Sequence, residues 1–253
     1  MAAVGTAGGN RAGAIAHQAL DAKPKSWKPD VKRARKYAKR RASDVRFSIV
    51  DVEGRRYGFH PGRTAPMAST IKVMLLAVYL RRGAVRDRQL HSRDRELLGP
   101  MIRRSDNDAA TTVRNIVGEG AIRRLARDAD MLHFRYNDAW GLSRSSAGDQ
   151  ASFMYRFDDY VPKRHEGYAR NLLRDIVPSQ RWGVARARPK GWKLFFKGGW
   201  GIADGTINHQ IAFLRRHGMR VGLAILTEAN PNHEYGKQTL KGVAKRLLRG
   251  LRR

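Results

Sequence analysis

Apolar and polar positions follow different rhythms along this chain, and each rhythm predicts a different element. Over residues 45–51, Val45, Phe47 and Ile49 alternate with other positions; Gly54 then marks a tight turn before residues 57–59, which predicts a two-stranded hairpin. Residues 69–80 are apolar around most of a helical circumference, as expected of a helix buried at the centre of a domain. The longest apolar run, residues 73–80 between Lys72 and Arg81, is too short to span a bilayer. From 87 to about 160 the pattern is helical, broken at Gly99, Pro100, Gly118 and Gly141. After Pro178 alternation returns in residues 193–197, 207–214 and 221–227, predicting three strands separated by Gly-containing turns such as His217-Gly218. Residues 31–42 and 236–251 read as basic amphipathic helices, and residues 1–24, rich in Ala and Gly, as a loose lead-in. The predicted class is therefore α/β of the α+β kind, with one sheet whose two halves are distant in sequence.

Length and composition narrow the field. The 253 residues suffice for one large domain or two small ones, and 42% hydrophobic with 29% charged residues excludes a disordered or collagen-like chain. The absence of cysteine removes thiol catalysis, disulfides and Cys-ligated zinc. The eight histidines lack H-E-x-x-H or other paired ligand spacing, so neither a metal site nor a cofactor is expected. Residues 1–20 contain no continuous apolar core of signal-peptide type, which leaves a leader ahead of Met1 as an open expectation.

The net charge of +29 is unusual. Residues 1–45 carry 11 basic and 3 acidic side chains, and residues 237–253 carry 7 basic and no acidic ones, so about half of the excess sits at the ends. Such a field attracts polyanions, and an anionic cell-wall polymer held by the basic ends is one partner it admits; solvated basic faces are the plainer reading. Nucleic acid is supported by charge alone, because no recognition motif for it is present.

Three short segments carry candidate chemistry. In Ser69-Thr70-Ile71-Lys72 the serine and lysine are three residues apart, so on a helix the amine reaches the hydroxyl and can take its proton. A chance S-x-x-K is equally compatible with the segment in isolation. In Ser105-Asp106-Asn107 the hydroxyl can relay a proton and the amide can bind a substrate amide, while the local alternative is a helix cap. In Lys197-Gly198-Gly199-Trp200 the cation can hold a carboxylate, and the glycines let an extended substrate pair with the strand edge. A phosphate loop built on these glycines lacks the Gly-Lys-Ser/Thr ending. Trp140, Trp182, Trp192 and Trp200 read as core or cleft-wall packing.

Taken together and in this order, the segments resemble the S-x-x-K, S-D-N and K-T-G set of class A β-lactamases and penicillin-binding proteins. The likeness runs from about Ser43 to Leu251, and residues 145–149 resemble the segment that opens the helix after that family's omega loop. It implies a serine β-lactamase-like fold: an antiparallel sheet flanked by helices, its α/β part at 25–64 and 180–253 and an inserted all-helical part at 65–179. It also implies Ser69 as nucleophile, Lys72 as its base and Ser105 as proton shuttle, with Asn107, Lys197, Gly199 and Trp200 binding substrate. The Trp200 and Ser69 N–H groups would form the oxyanion hole. The substrate implied is a β-lactam, a D-Ala-D-Ala-like peptide or a simple ester, and the location secreted or in the cell envelope.

Two departures accompany the likeness. Residues 133–144 contain no Glu, only Asp138, so deacylation would fall to that residue or to a water placed by backbone; Glu166 lies beyond the loop and is not assigned the role. Gly198 replaces the family's hydroxyl, removing a hydrogen bond to a charged substrate group worth about 1–3 kcal/mol. Slow turnover is the expectation, and a non-catalytic wall-binding or polyanion-binding module on the same fold is the alternative.

Overall fold

The computed structural model describes Ala2 and residues 27–201 and 207–251. The lead-in expected over 1–24 lies, apart from Ala2, outside the described residues. Helix α1 (Val31–Ala38) is followed by strands β1 (Asp44–Val50), β2 (Arg56–Phe59) and β3 (Thr64–Pro66), and then by a 3-10 turn, Ala68–Ile71. The helical stretch comprises α2 (Lys72–Leu80), α3 (Gly83–Arg86), α4 (Ser92–Arg103) and α5 (Asn107–Asp128), then β4 (Arg144–Ser146), α6 (Ala147–Tyr155) and α7 (Glu166–Arg174). Strands β5 (Lys193–Gly201), β6 (Ile207–Arg216) and β7 (Met219–Glu228) and helix α8 (His233–Leu247) complete the order.

The five-stranded sheet has the order β2-β1-β7-β6-β5 with every pairing antiparallel. The two distant halves meet where β1 runs against β7, from Asp44 opposite Glu228 to Val50 opposite Gly222. All of Val45–Val50 is buried, so alternation in the sequence does not mark a solvent face; the sheet is covered on both sides. Helix α6 lies against β1, β6 and β7, while α1 and α8 pack on each other and α8 reaches β6 and β7. This is the mixed, antiparallel architecture expected from the sequence, with strand β5 left at one edge.

That edge faces the helical layer. Helix α2 is buried at all nine positions, ringed by α4 and α5 and entered through the 3-10 turn. Each fully buried Val, Leu or Met there stabilises the fold by about 1.5–3 kcal/mol, which fixes the direction in which Lys72, at its first position, can point. Two expectations need correction. The predicted helix over 69–80 is a 3-10 turn through Ile71 and α-helical only from Lys72. The stretch from 87 to 160 is not wholly helical: β4 pairs with β3, Thr64 opposite Ser146 and Pro66 opposite Arg144. Three-residue strands are too short to show a period.

Candidate active site

Ser69 stands in the 3-10 turn, which is held from several sides. Ala68, just before it, has φ +47°, a left-handed conformation that redirects the chain. The Met67 amide donates to the Ser143 carbonyl at 2.7 Å, and the Thr70 hydroxyl bridges Met67 O at 2.7 Å and Gln150 Oε1 at 2.8 Å. Edge strand β5 closes on the same turn at Gly199, where a Cβ would lie 3.0 Å from Ser69 N and 3.1 Å from both Met67 O and Thr70 N. Glycine admits that approach without displacing the turn.

Lys72 is buried, and its Nζ donates to Ser105 O at 2.6 Å and Asn107 Oδ1 at 2.7 Å, with Ser105 Oγ at 3.3 Å. Ser105 lies between α4 and α5 with φ +61°, a conformation that presents its carbonyl and its hydroxyl to the same amine. Asp106 does act as the helix cap, accepting from the Ala109 amide at 2.9 Å, so within one tripeptide the cap and the site-facing residues coexist. Lys197, fully buried on β5, donates to Ser105 Oγ at 2.9 Å and Gly198 O at 2.9 Å. The three predicted segments thus meet at Ser105. Asn107 reaches Lys72 while itself remaining exposed.

Electrostatics follow from burial. Loss of water lowers the Lys72 amine to about 7 against the opposing pull of Asp106, leaving a substantial neutral fraction near neutrality. Burial also holds Lys197 well below the ordinary amine range, and the neighbouring Lys72 pushes it in the same direction. Two amines on one hydroxyl disfavour double protonation of the pair.

Aromatic rings form the walls. The Trp140 ring lies over Lys72 with its centroid 4.9 Å from Nζ. Trp182, Trp200 and His233 form a cluster, with centroids 5.8 Å apart for Trp182–Trp200, 5.5 Å for Trp182–His233 and 6.1 Å for Trp200–His233. The Trp182 ring crowds Gly198, where a Cβ would sit 3.3 Å from Cη2 and Cζ2, so a larger side chain there must displace the ring. Trp192, by contrast, is core. The sequence offered the tryptophans as core or cleft-wall packing, with Trp200 also among the substrate-binding candidates; which of them stands against which lysine has no local signal.

Asp138 does not join this group. Its side chain is 88% exposed and is held by Arg114 at 2.8 Å, so it stands in solvent, contrary to the expectation that it could serve deacylation. Glu166 opens α7 and pairs with Arg170 at 3.4 Å, in keeping with its exclusion from the role.

A buried central helix entered through a serine-bearing turn, an inserted run of helices and a five-stranded antiparallel sheet with its edge on that turn define the class: this is the fold of the serine β-lactamase-like hydrolases. The chain belongs to the beta-lactamase enzyme family, whose model matches residues 91–251. That stretch takes in Ser105, Asn107, Lys197, Gly199 and Trp200 and stops short of Ser69 and Lys72. Among solved structures, a beta-lactamase from Sphaerobacter thermophilus is similar at 17% identity and TM-score 0.74, over 88% of this chain and 98% of that one. A class A beta-lactamase from Mycobacterium abscessus is similar at 18% identity and TM-score 0.75, over 88% and 99%. One from Xanthomonas campestris is similar at 19% identity and TM-score 0.74, over 87% and 96%. At such identities the likeness carries the fold. No curated protein matches the sequence.

Proposed function

We propose that this protein forms an acyl-enzyme on Ser69 with a β-lactam or a D-Ala-D-Ala-like amide and releases it slowly. The observation that carries the reading is the convergence of Lys72 and Lys197 on Ser105, at 3.3 and 2.9 Å from its hydroxyl, beside the Ser69 turn. Neutral Lys72 takes the Ser69 proton as Oγ adds to the substrate carbonyl. The N–H groups of Ser69 and Trp200 receive the oxyanion, and the N-terminal end of the turn and α2 favours the negative charge that develops. The proton then passes from Lys72 through Ser105 to the leaving nitrogen, and the C–N bond breaks. Lys197 donates N–H hydrogen bonds to the substrate carboxylate, whose negative charge favours the protonated amine, Asn107 binds its amide, and the Gly199 edge pairs with its backbone. No carboxylate contacts Lys72 or Ser105 among the described residues, which supports slow hydrolysis of the ester. By this reading the protein works outside the cytoplasm; among the described residues no helix is long and apolar enough to cross a membrane.

The test is intact mass against time with benzylpenicillin, a D-Ala-D-Ala peptide and a phenyl ester, run on wild type and Ser69→Ala. A long-lived adduct absent from Ser69→Ala is the expected result. If neither an adduct nor turnover appears with any of the three, the acyl-enzyme reading is wrong and the polyanion-binding alternative gains, to be checked by the salt dependence of binding.

A further inference from the structure

An aromatic ring lies beside the Lys72 amine. Trp140 begins a 3-10 turn, Trp140–Leu142, that is fastened on two sides. Its Nε1 donates to Thr111 Oγ1 on α5 at 3.2 Å, and the turn packs on the nucleophile segment at Gly141, where a Cβ would lie 3.9 Å from Ala68 Cα. The carbonyl of Ser143, just beyond the turn, accepts the Met67 amide at 2.7 Å, so the ring is held in register with Ser69.

Space around the Lys72 amine decides what this ring does. A water lying directly between Nζ and the ring, about 2.9 Å from the amine and a further ~3.3 Å from the ring face, needs roughly 6 Å between the two, so on that line no water fits. The centroid is 4.9 Å away. The polar partners of Nζ are Ser105 O, Ser105 Oγ and Asn107 Oδ1, at or just before the start of α5, and the indole is a further group set against the same amine. The two acids that flank this region in sequence are engaged elsewhere, Asp106 on the Ala109 amide and Asp138 on Arg114.

We infer that Trp140 is a positioning residue that keeps water off the Lys72 amine and thereby sets the lifetime of the Ser69 acyl-enzyme. The inference rests on the proposed acyl-enzyme reading. Deacylation requires a water oxygen to bond to the acyl carbon while its proton passes to Lys72, after which the ester C–O bond breaks and the proton returns to Ser69 Oγ. The indole excludes the water of the first step without touching the reacting carbon. Acylation is spared because there the proton comes from Ser69 itself.

The experiment separates formation from breakdown of the benzylpenicillin adduct by intact mass, with a pulse followed by dilution, in wild type, Trp140→Ala and Trp140→Phe. Trp140→Ala is expected to shorten the adduct half-life ten-fold or more, and Trp140→Phe, which keeps a flat face over Nζ, to stay within about three-fold of wild type. A merely structural role would lower the melting temperature and slow acylation in both variants without shortening the half-life. An unchanged half-life in folded Trp140→Ala overturns the inference, as does equal shortening in Trp140→Phe. If Trp140→Ala does not fold, Trp140→Val carries the same expectation and the same refutation. A wild type that forms no adduct instead overturns the acyl-enzyme reading, and this inference with it.

Discussion

Substituting Gly199 by Ala adds one methyl group at the point where β5 meets the nucleophile turn. The new Cβ would stand 3.0 Å from Ser69 N and 3.1 Å from Met67 O and Thr70 N, against an ordinary contact of 3.4 Å or more, so strand and turn must separate by about 0.3–0.4 Å. The strand is the stiffer partner, since β5 pairs with β6 over its whole length, Gly199 opposite His209. The turn yields instead, and it is already bent through Ala68 at φ +47°. Overpacking of this kind costs about 1–3 kcal/mol, equivalent to a fall of roughly 2–12 °C in melting temperature for a chain of this size. A 1 Å misplacement of reacting groups costs about 100-fold in rate, so a displacement of a third of that should slow acylation of Ser69 by about four- to six-fold. Calorimetric melting and intact-mass acylation with benzylpenicillin measure both quantities. Gly201→Ala is the matched control, because its Cβ meets only the Ile207 side chain, at 3.4 Å and beyond. If Gly199→Ala melts and acylates like wild type while Gly201→Ala does too, the close approach of β5 to the turn is not what positions the serine.

Further outcomes follow from the same geometry. The acylation rate should rise with pH through a midpoint near 7, because only the deprotonated Lys72 amine accepts the Ser69 proton; a stopped-flow pH profile with its midpoint above 9 refutes the assignment. Asp94 would be raised by burial but is brought down to about 2 by hydrogen bonds from Arg88, Tyr79 and the His91 amide. Its folded value lies below its unfolded one, so it contributes about 2 kcal/mol that is fully present above pH 5 and lost as pH falls from about 4 to 2. Asp94→Asn should therefore destabilise by about that amount at pH 7 and by much less at pH 2, read by urea denaturation at the two pH values. Gly198→Thr should cost about 1–3 kcal/mol because Trp182 already fills the space, and Trp182→Leu should relieve part of that cost; additive melting shifts in a double-mutant cycle would show that the two positions do not compete.

Much of this was legible in the residues because it depends on local pattern. The β-branched and aromatic residues of β1, the apolar circumference of α2 and the turn signals between β6 and β7 each mark their element locally. The three segments that meet at Ser105 were legible through their family likeness rather than through periodicity. The short pairing of β3 with β4 was hidden because three residues carry no period, and the 3-10 start of α2 because its apolar residues suit either helix. The places of Trp140 and Trp182 were hidden for a different reason. Each is fixed by contact with a glycine-bearing or lysine-bearing segment far away in the chain, so neither its neighbours nor its spacing records the partner.

The pairing of β1 with β7 also governs when this protein becomes chemically competent. Asp44 cannot meet its partner Glu228 until almost the whole chain exists, and β5, which supplies Lys197 and the Gly199 contact, reaches the sheet only through β6 and β7. Pairings that close such long loops form late and slowly. During synthesis the helical layer, with Ser69, Lys72 and Ser105, is therefore complete before the strand that finishes the site. A nascent chain halted before β5 would carry Ser69 and Lys72 yet lack Lys197 and the Gly199 edge, so on the proposed acyl-enzyme reading reactivity toward an acyl donor arrives with the final strands and reports completion of the sheet.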